Sequence, residues 1–167
     1  MKIGIDLGNT IVHNPTREAY PRALEVIKNL VEDGHEIWII SRVNSEQRAK
    51  SLEWIEKFGF FQKTGIKPDN LYYCWERKDK AIFGKAFSFD VFIDDHPEVL
   101  SHFPDQVLKL AFRPKPEKVQ EYSSKMKNYY KIEHWPEIRE KLMIFCEHRF
   151  EDLDENGLSP KKKIKYE

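Results

Sequence analysis

Two short apolar runs that end in carboxylates constrain the fold of this chain most. The first begins at Lys2 and leads into Asp6, and the second begins at Val91 and leads into Asp94 and Asp95. Such runs are typical of strands buried on both faces of a parallel sheet, and ligands bind at the carboxyl ends of such strands. Because three converging carboxylates repel one another unless a cation or a shared proton offsets their charge, the pattern predicts a divalent-metal site.

The rest of the chain alternates between predicted helices and strands. Further strands are predicted at 35–40, 71–74 and 106–112, and helices at 21–33, at 45–58 and after Asp79, which would be an N-cap. This order favours a three-layer α/β/α, Rossmann-like architecture with a parallel sheet of about five strands. Residues 12–20 are predicted to form a loop. Residues 116–149 are predicted to form extra C-terminal helices, with a break near 134–136. The predicted inner faces of the second and third helices are Ala49, Leu52, Ile55 and Phe58, and Ile82, Phe83 and Ala86.

Length and composition favour one domain at 1–150, followed by a polar, basic and disordered tail at 151–167. The 28 basic and 28 acidic residues cancel, so net charge gives no indication of a nucleic-acid or membrane partner. Cys74 and Cys146 match no metal-ligand spacing, which favours reduced thiols. No targeting signal stands out and no apolar run approaches the roughly 20 residues of a membrane span, so a cytoplasmic protein is expected.

Four short motifs follow one another in a recognisable order. They are Asp6 after the first strand, Ser41 after the second, a lysine before the third helix, and the pair Asp94 and Asp95. This order resembles the haloacid dehalogenase-like superfamily of phosphatases and phosphotransferases, over residues 1 to about 113. The lysine is Lys80 or Lys78, and Lys80 is preferred because it would lie in the first turn of a helix capped by Asp79.

The resemblance implies roles for these residues. Asp6 would attack a phosphoryl group to form an aspartyl-phosphate, Ser41 would donate a hydrogen bond to a phosphate oxygen, and Lys80 would neutralise charge. A bound Mg²⁺ would be held by Asp6, the carbonyl of Gly8 and Asp95, with Asp94 close by. The predicted substrate-binding residues are Gly8, Asn9, Thr10 and Arg42.

Gly8 departs from the pattern of the superfamily's phosphatases. Those enzymes usually carry a second aspartate at this position, which protonates the leaving group and then activates water; such help is typically worth about 10² to 10⁴ in rate. His13 and His96 are candidate replacements. The alternative is a non-catalytic or weakly active protein that uses the same fold for binding or regulation.

The intervals between the motifs are too short for an inserted cap domain. About 35 residues separate Asp6 from Ser41, and a predicted helix fills much of them. By analogy with capless members, the site is expected to be open and to suit a phosphate on a large or extended substrate of unknown class. Loop aromatics, namely Tyr20, Trp75 and Phe61, are candidate contacts for it.

A rival interpretation concerns only the first motif. Residues 3–10 also resemble the first phosphate-binding motif of actin-like, chaperone and sugar-kinase ATPases, in which Gly8 would fit. Those proteins need a second strand directly after the turn and a second lobe. The early Pro15 and the strand ending at Asp94 have no place in that fold.

Overall fold

A parallel sheet with its first strand near the centre organises the chain. The computed structural model describes residues 1–155, with side chains through residue 149. The strands are β1 (Lys2–Ile5), β2 (Val12–His13), β3 (Glu18–Ala19), β4 (Glu36–Arg42), β5 (Leu71–Cys74), β6 (Val91–Asp94), β7 (Leu108–Phe112) and β8 (Tyr129–Ile132). Within the described residues, six of them form the main sheet in the order β5-β4-β1-β6-β7-β8, and every neighbouring pair is parallel.

Helices cover both faces of this sheet. They are α1 (Ala23–Glu32), α2 (Ser45–Lys57), α3 (Phe60–Thr64), α4 (Asp79–Phe87), α5 (Pro97–Leu100), α6 (Pro116–Tyr122) and α7 (Glu137–Glu155). One hydrophobic cluster joins β1 to residues such as Ile27, Trp54 and Ile138, and a second joins Phe92 to Leu100 and neighbours. The two clusters lie on opposite faces because successive side chains of a strand alternate. The predicted three-layer α/β/α architecture is confirmed.

Gly4 in β1 allows aromatic rings to pack closely on the sheet. A Cβ atom there would lie 2.5 Å from carbons of Phe89 and Phe92, far inside van der Waals contact. The side chain of Phe92 is fully buried against Phe103, with ring centroids 4.4 Å apart. The central strand therefore leaves room for an aromatic layer that holds the α4 and α5 side of the molecule.

The sheet and the loops differ from the prediction in two places. The sixth strand, β8, was predicted as helix within 116–149, but residues 129–132 pair with β7 through the register Leu110–Tyr130. The predicted loop at 12–20 contains a small antiparallel hairpin, in which Val12 pairs with Ala19. The last helix runs to Glu155, five residues into the predicted tail, and 156–167 lie outside the described residues.

The predicted inner faces of α2 and α4 are only partly right: Ile55 is buried, and Phe58 and Phe83 pack partly buried against the core. In α2 the buried residues are Ser51, Trp54 and Ile55, whereas Ala49 is exposed and Leu52 is 44% exposed. In α4 the buried residues are Lys80 and Gly84, and Ile82 is 66% exposed. Asp79 is the first residue of α4 and Lys78 the N-cap. No helix of the described chain combines the length and apolar character that crossing a membrane requires.

Candidate active site

The carboxylates predicted from the sequence meet where β1 and β6 end. Ile5 pairs with Ile93, and the amide of Asp6 donates to the carbonyl of Ile93 at 2.9 Å, so Asp6 and Asp94 follow the same register position. Oxygens from Asp6, Asp94 and Asp95 all lie within 4.8 Å of one another. Parallel pairing in this register therefore brings together side chains that are far apart in sequence.

Lys80 lies between two of these carboxylates. Its Nζ is 2.8 Å from Oδ1 of Asp6 and 2.6 Å from Oδ2 of Asp94, and its side chain is 3% exposed. Burial lowers the pKa of Lys80, but the two carboxylates outweigh it, so the pKa is raised and the ammonium is retained. The competing Lys78 is 65% exposed and pairs with Glu76. The geometry therefore brings Lys80 into the cluster and leaves Lys78 at the surface.

One lysine does not balance three carboxylates. Burial raises the pKa of Asp6 to about 6, against the opposing effect of Lys80. Burial, with the charges of Asp94 and Asp6, raises the pKa of Asp95 to about 8. The cluster thus has excess negative charge and hard oxygen donors, which is the donor set that Mg²⁺ prefers. These residues fit a divalent cation.

A cavity of about 200 Å³ opens next to the carboxylates. Of the residues predicted from the sequence, those that line it are Asp6, Gly8, Asn9, Ser41, Arg42, Lys80, Asp95 and His96. Ser41 is 4% exposed, and its hydroxyl has no hydrogen-bond partner within the described chain. A free hydroxyl facing a polar cavity can donate to a phosphate oxygen.

Thr10 does not line this cavity. It is fully buried, its Oγ1 lies 3.5 Å from Oδ2 of Asp6, and its carbonyl accepts a 3.0 Å hydrogen bond from Nε1 of Trp135. The structure therefore places Thr10 in the buried surroundings of Asp6 and not in the cavity wall. The substrate contact predicted for Thr10 stays a prediction.

Three lining residues were not among the predicted site residues: Asn14, Gln47 and Arg77. Asn14 follows β2, and its amide donates to Oδ1 of Asn9 at 3.2 Å. Gln47 is the partner of Asn44 in the capping box of α2, a sequence signature that locates a helix start and hence a loop at the sheet edge. Arg77 carries no comparable signal.

Neither candidate histidine is arranged as a proton donor. Nε2 of His96 lies 3.1 Å from Nη2 of Arg77 and accepts its proton, and burial with that guanidinium lowers the pKa of His96 to about 4. Nδ1 of His13 lies 2.9 Å from the hydroxyl of Thr16, and His13 does not line the cavity. At neutral pH, His96 has no proton to give from Nε2.

The three candidate aromatic contacts lie in different environments. Tyr20 is half-buried and packs edge-on against Phe112. Phe61 is also half-buried and packs against the core. Trp75 is 70% exposed, but it does not line the carboxylate cavity.

Comparison with curated proteins finds partial relatives. The chain is 28% identical over 81 residues to a predicted nucleotidase of Bacillus cereus, which covers 48% of this chain and 41% of that protein. It is 26% identical over 116 residues to a predicted nucleotidase of Oceanobacillus iheyensis, and the match covers 70% of this chain and 57% of that protein. The chain thus spans about half the length of these relatives. No model of a known protein family matches the sequence.

Solved structures establish the fold. A predicted haloacid dehalogenase-like hydrolase from Burkholderia xenovorans matches 87% of this chain and 97% of its own, with a TM-score of 0.66 and 9% identity. The D,D-heptose 1,7-bisphosphate phosphatase of B. bronchiseptica was solved with magnesium and phosphate. It matches 86% of this chain and 98% of its own, with a TM-score of 0.60 and 12% identity. The chain has the haloacid dehalogenase-like fold, and the ATPase interpretation of the first motif is wrong.

Proposed function

We propose that this protein is a Mg²⁺-dependent phosphohydrolase or phosphotransferase that forms an aspartyl-phosphate on Asp6. The observation that carries the proposal is the buried cluster in which Lys80 contacts Asp6 and Asp94. An oxygen of Asp95 lies within 4.8 Å of oxygens from these two carboxylates. Buried charges of this kind are costly, and the predicted metal and phosphate chemistry gives them a use. The predicted nucleotidase names of the two sequence relatives support hydrolysis of phosphate esters.

In the first step, a carboxylate oxygen of Asp6 attacks phosphorus while the ester oxygen leaves. Lys80 holds Asp6 ionised and fixes its direction through the 2.8 Å contact. Ser41 donates its free hydroxyl to a phosphate oxygen, and Arg42 offsets negative charge at the cavity mouth. In the second step, water or another acceptor attacks the aspartyl-phosphate, which releases Asp6 as a carboxylate.

The proposed metal site uses Asp6, Asp95 and the carbonyl of Gly8, with Asp94 beside them. When bound, Mg²⁺ would neutralise negative charge on the phosphoryl group that is transferred. Asp94 also serves the protein directly, since its Oδ1 accepts the amide of His96 at 2.8 Å and its Oδ2 binds Lys80. Asp94 therefore positions both the lysine and the loop that carries Asp95.

Proton supply to the leaving group is the weak step of this site. Gly8 has no side chain to act as an acid, and His96 accepts rather than donates at Nε2. Esters with good leaving groups, which depart with little protonation, are therefore the favoured substrates. Since the interval from β1 to β4 holds only the small hairpin and α1, the site is also open to a phosphate on a large or extended molecule.

The test is hydrolysis of p-nitrophenyl phosphate with Mg²⁺ by wild type and by Asp6→Asn. We expect kcat to fall by at least about 10³-fold, because the nucleophile is lost while the cavity keeps its shape. Addition of EDTA to the wild type should abolish release. The matched control is Asp69→Asn, an exposed aspartate that does not line the cavity, which should keep full activity.

Equal rates from wild type and Asp6→Asn would contradict the nucleophile assignment. Absence of hydrolysis by a folded wild type that binds Mg²⁺ would instead favour the non-catalytic alternative.

A further inference from the structure

A second cavity adjoins the carboxylate cavity on the side of the β2–β3 hairpin. Its volume is about 290 Å³, larger than the 200 Å³ of the first. The two share a boundary made by Gly8, Asn14, Ser41, Arg42 and Gln47. A molecule with its phosphate at the carboxylates can therefore extend directly into the second space, which we call the side cavity.

The lining of the side cavity is apolar below and basic at the rim. Leu7, Val12, Val43 and Trp54 are buried and form the floor. Arg17, Arg42 and Lys50 are exposed at the rim. Among the described residues that line it, none is an aspartate or a glutamate. Carboxylates therefore line the first cavity, where Asp6 and Asp95 lie beside Arg42, Arg77 and Lys80, and the charged residues of the side cavity are all basic.

Two hydrogen bonds fix the wall between the hairpin and α2. Nη2 of Arg17 donates to the carbonyl of Lys50 at 2.8 Å, and Nε1 of Trp54 donates to the carbonyl of Arg17 at 2.9 Å. Arg17 adopts a positive φ of 59° within the hairpin, so its backbone is held in a specific turn. The side cavity is therefore bounded by hydrogen-bonded elements on both sides.

The rim cations are available to a ligand. The guanidinium of Arg42 has no hydrogen bond or ion pair with any other residue in the described part of the chain. Lys50 pairs with Glu46 at 2.6 Å, but both side chains are more than half exposed, at 60% and 75%. Exposed pairs of this kind contribute little and exchange readily for an incoming anion.

Gly8 lies at the junction of the two cavities. A Cβ atom at this position would come 3.0 Å from Oδ1 of Asn14, which also borders both spaces. A longer side chain would press against Asn14 and narrow the connection. The glycine that removes the expected acid thus keeps the passage to the side cavity open.

From these observations we propose that the side cavity binds the leaving group of the substrate, and that this group carries a second anion, a carboxylate or a phosphate. The inference rests on the proposed function of the carboxylate cavity. The apolar floor contacts the carbon skeleton, while Arg42 and Lys50 bind the second anion at the rim.

The test compares three phosphomonoesters with related skeletons in the presence of Mg²⁺. Glucose 6-phosphate has no second anion, 6-phosphogluconate has a carboxylate, and glucose 1,6-bisphosphate has a phosphate. We expect kcat/KM for each of the two compounds with a second anionic group to exceed that for glucose 6-phosphate by at least about tenfold. This factor corresponds to about 1.4 kcal/mol.

Variants of α2 locate the effect. Lys50→Glu should reduce this preference to less than about twofold, and Glu46→Gln, which frees Lys50, should increase it. Lys57→Glu is the matched control, since Lys57 is an exposed lysine of the same helix that borders neither cavity, and it should leave the preference unchanged. Equal kcat/KM for the three esters, or a preference that survives Lys50→Glu, would overturn the proposal.

Binding separates this proposal from the proposed function. Asp6→Asn cannot form the phosphoenzyme, so calorimetry on this variant with Mg²⁺ measures affinity alone. About tenfold tighter binding of 6-phosphogluconate than of glucose 6-phosphate would support the side cavity even if wild type released no phosphate. Equal affinities for 6-phosphogluconate and glucose 6-phosphate would refute it.

Discussion

Two lysines are buried in the described chain, and their partners differ. Lys80 binds carboxylates, as described above, whereas Nζ of Lys109 donates to three backbone carbonyls, those of Pro104 at 2.7 Å, Val107 at 2.9 Å and Lys127 at 3.2 Å. These carbonyls belong to loops on either side of β7. Lys109 therefore connects the two loops through its side chain, with no carboxylate among these partners.

Lys109→Met should destabilise the fold. Methionine fills similar space but leaves three carbonyls without their donor, so we expect the free energy of unfolding at pH 7 to fall by about 2–3 kcal/mol. Urea unfolding followed by circular dichroism measures this. Lys127→Met is the control, because Lys127 is 78% exposed, and its effect should stay within about 0.5 kcal/mol.

The difference in stability between wild type and Lys109→Met should also depend on pH. Burial lowers the pKa of Lys109 from 10.5 to about 8. Between these values the unfolded chain binds more protons at this position than the folded one, so wild type should gain stability relative to Lys109→Met as pH rises from 8 to 10. A constant difference between the two proteins over this range would contradict the buried position of the ammonium.

The residues that ended strands were predictable, and the residues that loops deliver were less so. Asp6, Ser41, Asp94 and Asp95 could be located because strand ends meet at one edge of a sheet. Arg77 lines the cavity through loop geometry that has no periodic signature in the sequence. The chemical roles of all of these residues remain predictions.

At the scale of elements, α2 begins with a complete capping box. The side chain of Asn44 accepts the amide of Gln47 at 2.8 Å, and the side chain of Gln47 accepts the amide of Asn44 at 3.0 Å. Gln47 and Lys50, one turn apart, both border the side cavity. The first two turns of α2 thus depend on this cap for the placement of cavity residues.

Asn44→Ala should lower the free energy of unfolding by about 1 kcal/mol, because the helix-end amide of Gln47 loses its acceptor. Asn44→Ser keeps a side-chain acceptor at the N-cap, so the free energy of unfolding should change by less than about 0.5 kcal/mol. Thermal and urea unfolding measure both. A similar loss in the two variants would mean that the asparagine acts through something other than capping.

Element positions were largely predictable, whereas parts of two helix faces and one strand were not. In α4 the position of Lys80 in the site turns Gly84 inward, where a Cβ would lie 2.4 Å from the ring of Phe103, and this leaves Ile82 outside. The β8 strand was missed because it is short and lies at the edge, with only Ile132 buried. Hydrophobicity alone contains neither constraint.

For the molecule as a whole, Trp135 joins the C-terminal segment to the first motif. It is 1% exposed and donates its Nε1 proton to the carbonyl of Thr10, 125 positions earlier. Ile138, Leu142 and Phe145 of α7 pack into the same hydrophobic cluster as β1. The resemblance noted in the sequence ends near residue 113, yet the core that supports Asp6 extends to Phe145.

Trp135→Phe should therefore reduce stability by at least about 1–2 kcal/mol, since the smaller phenyl ring leaves a void and the buried carbonyl of Thr10 loses its donor. Trp75→Phe is the control, because Trp75 is 70% exposed, and it should be nearly neutral. Chemical denaturation measures both. If the two variants were equally stable, the contact across the molecule would carry no net free energy.

The pairing of β1 with β6 has a consequence beyond stability. Successive side chains of a strand point to opposite faces, so a shift of β1 by one residue would turn Asp6 away from Asp94 and would bring a side chain to the place where Gly4 leaves room for Phe89 and Phe92. The aromatic layer thus favours the register in which Asp6 faces Asp94, so packing on one face of the sheet also specifies the site at its edge. The fidelity of strand alignment during folding is therefore a requirement for the chemistry itself.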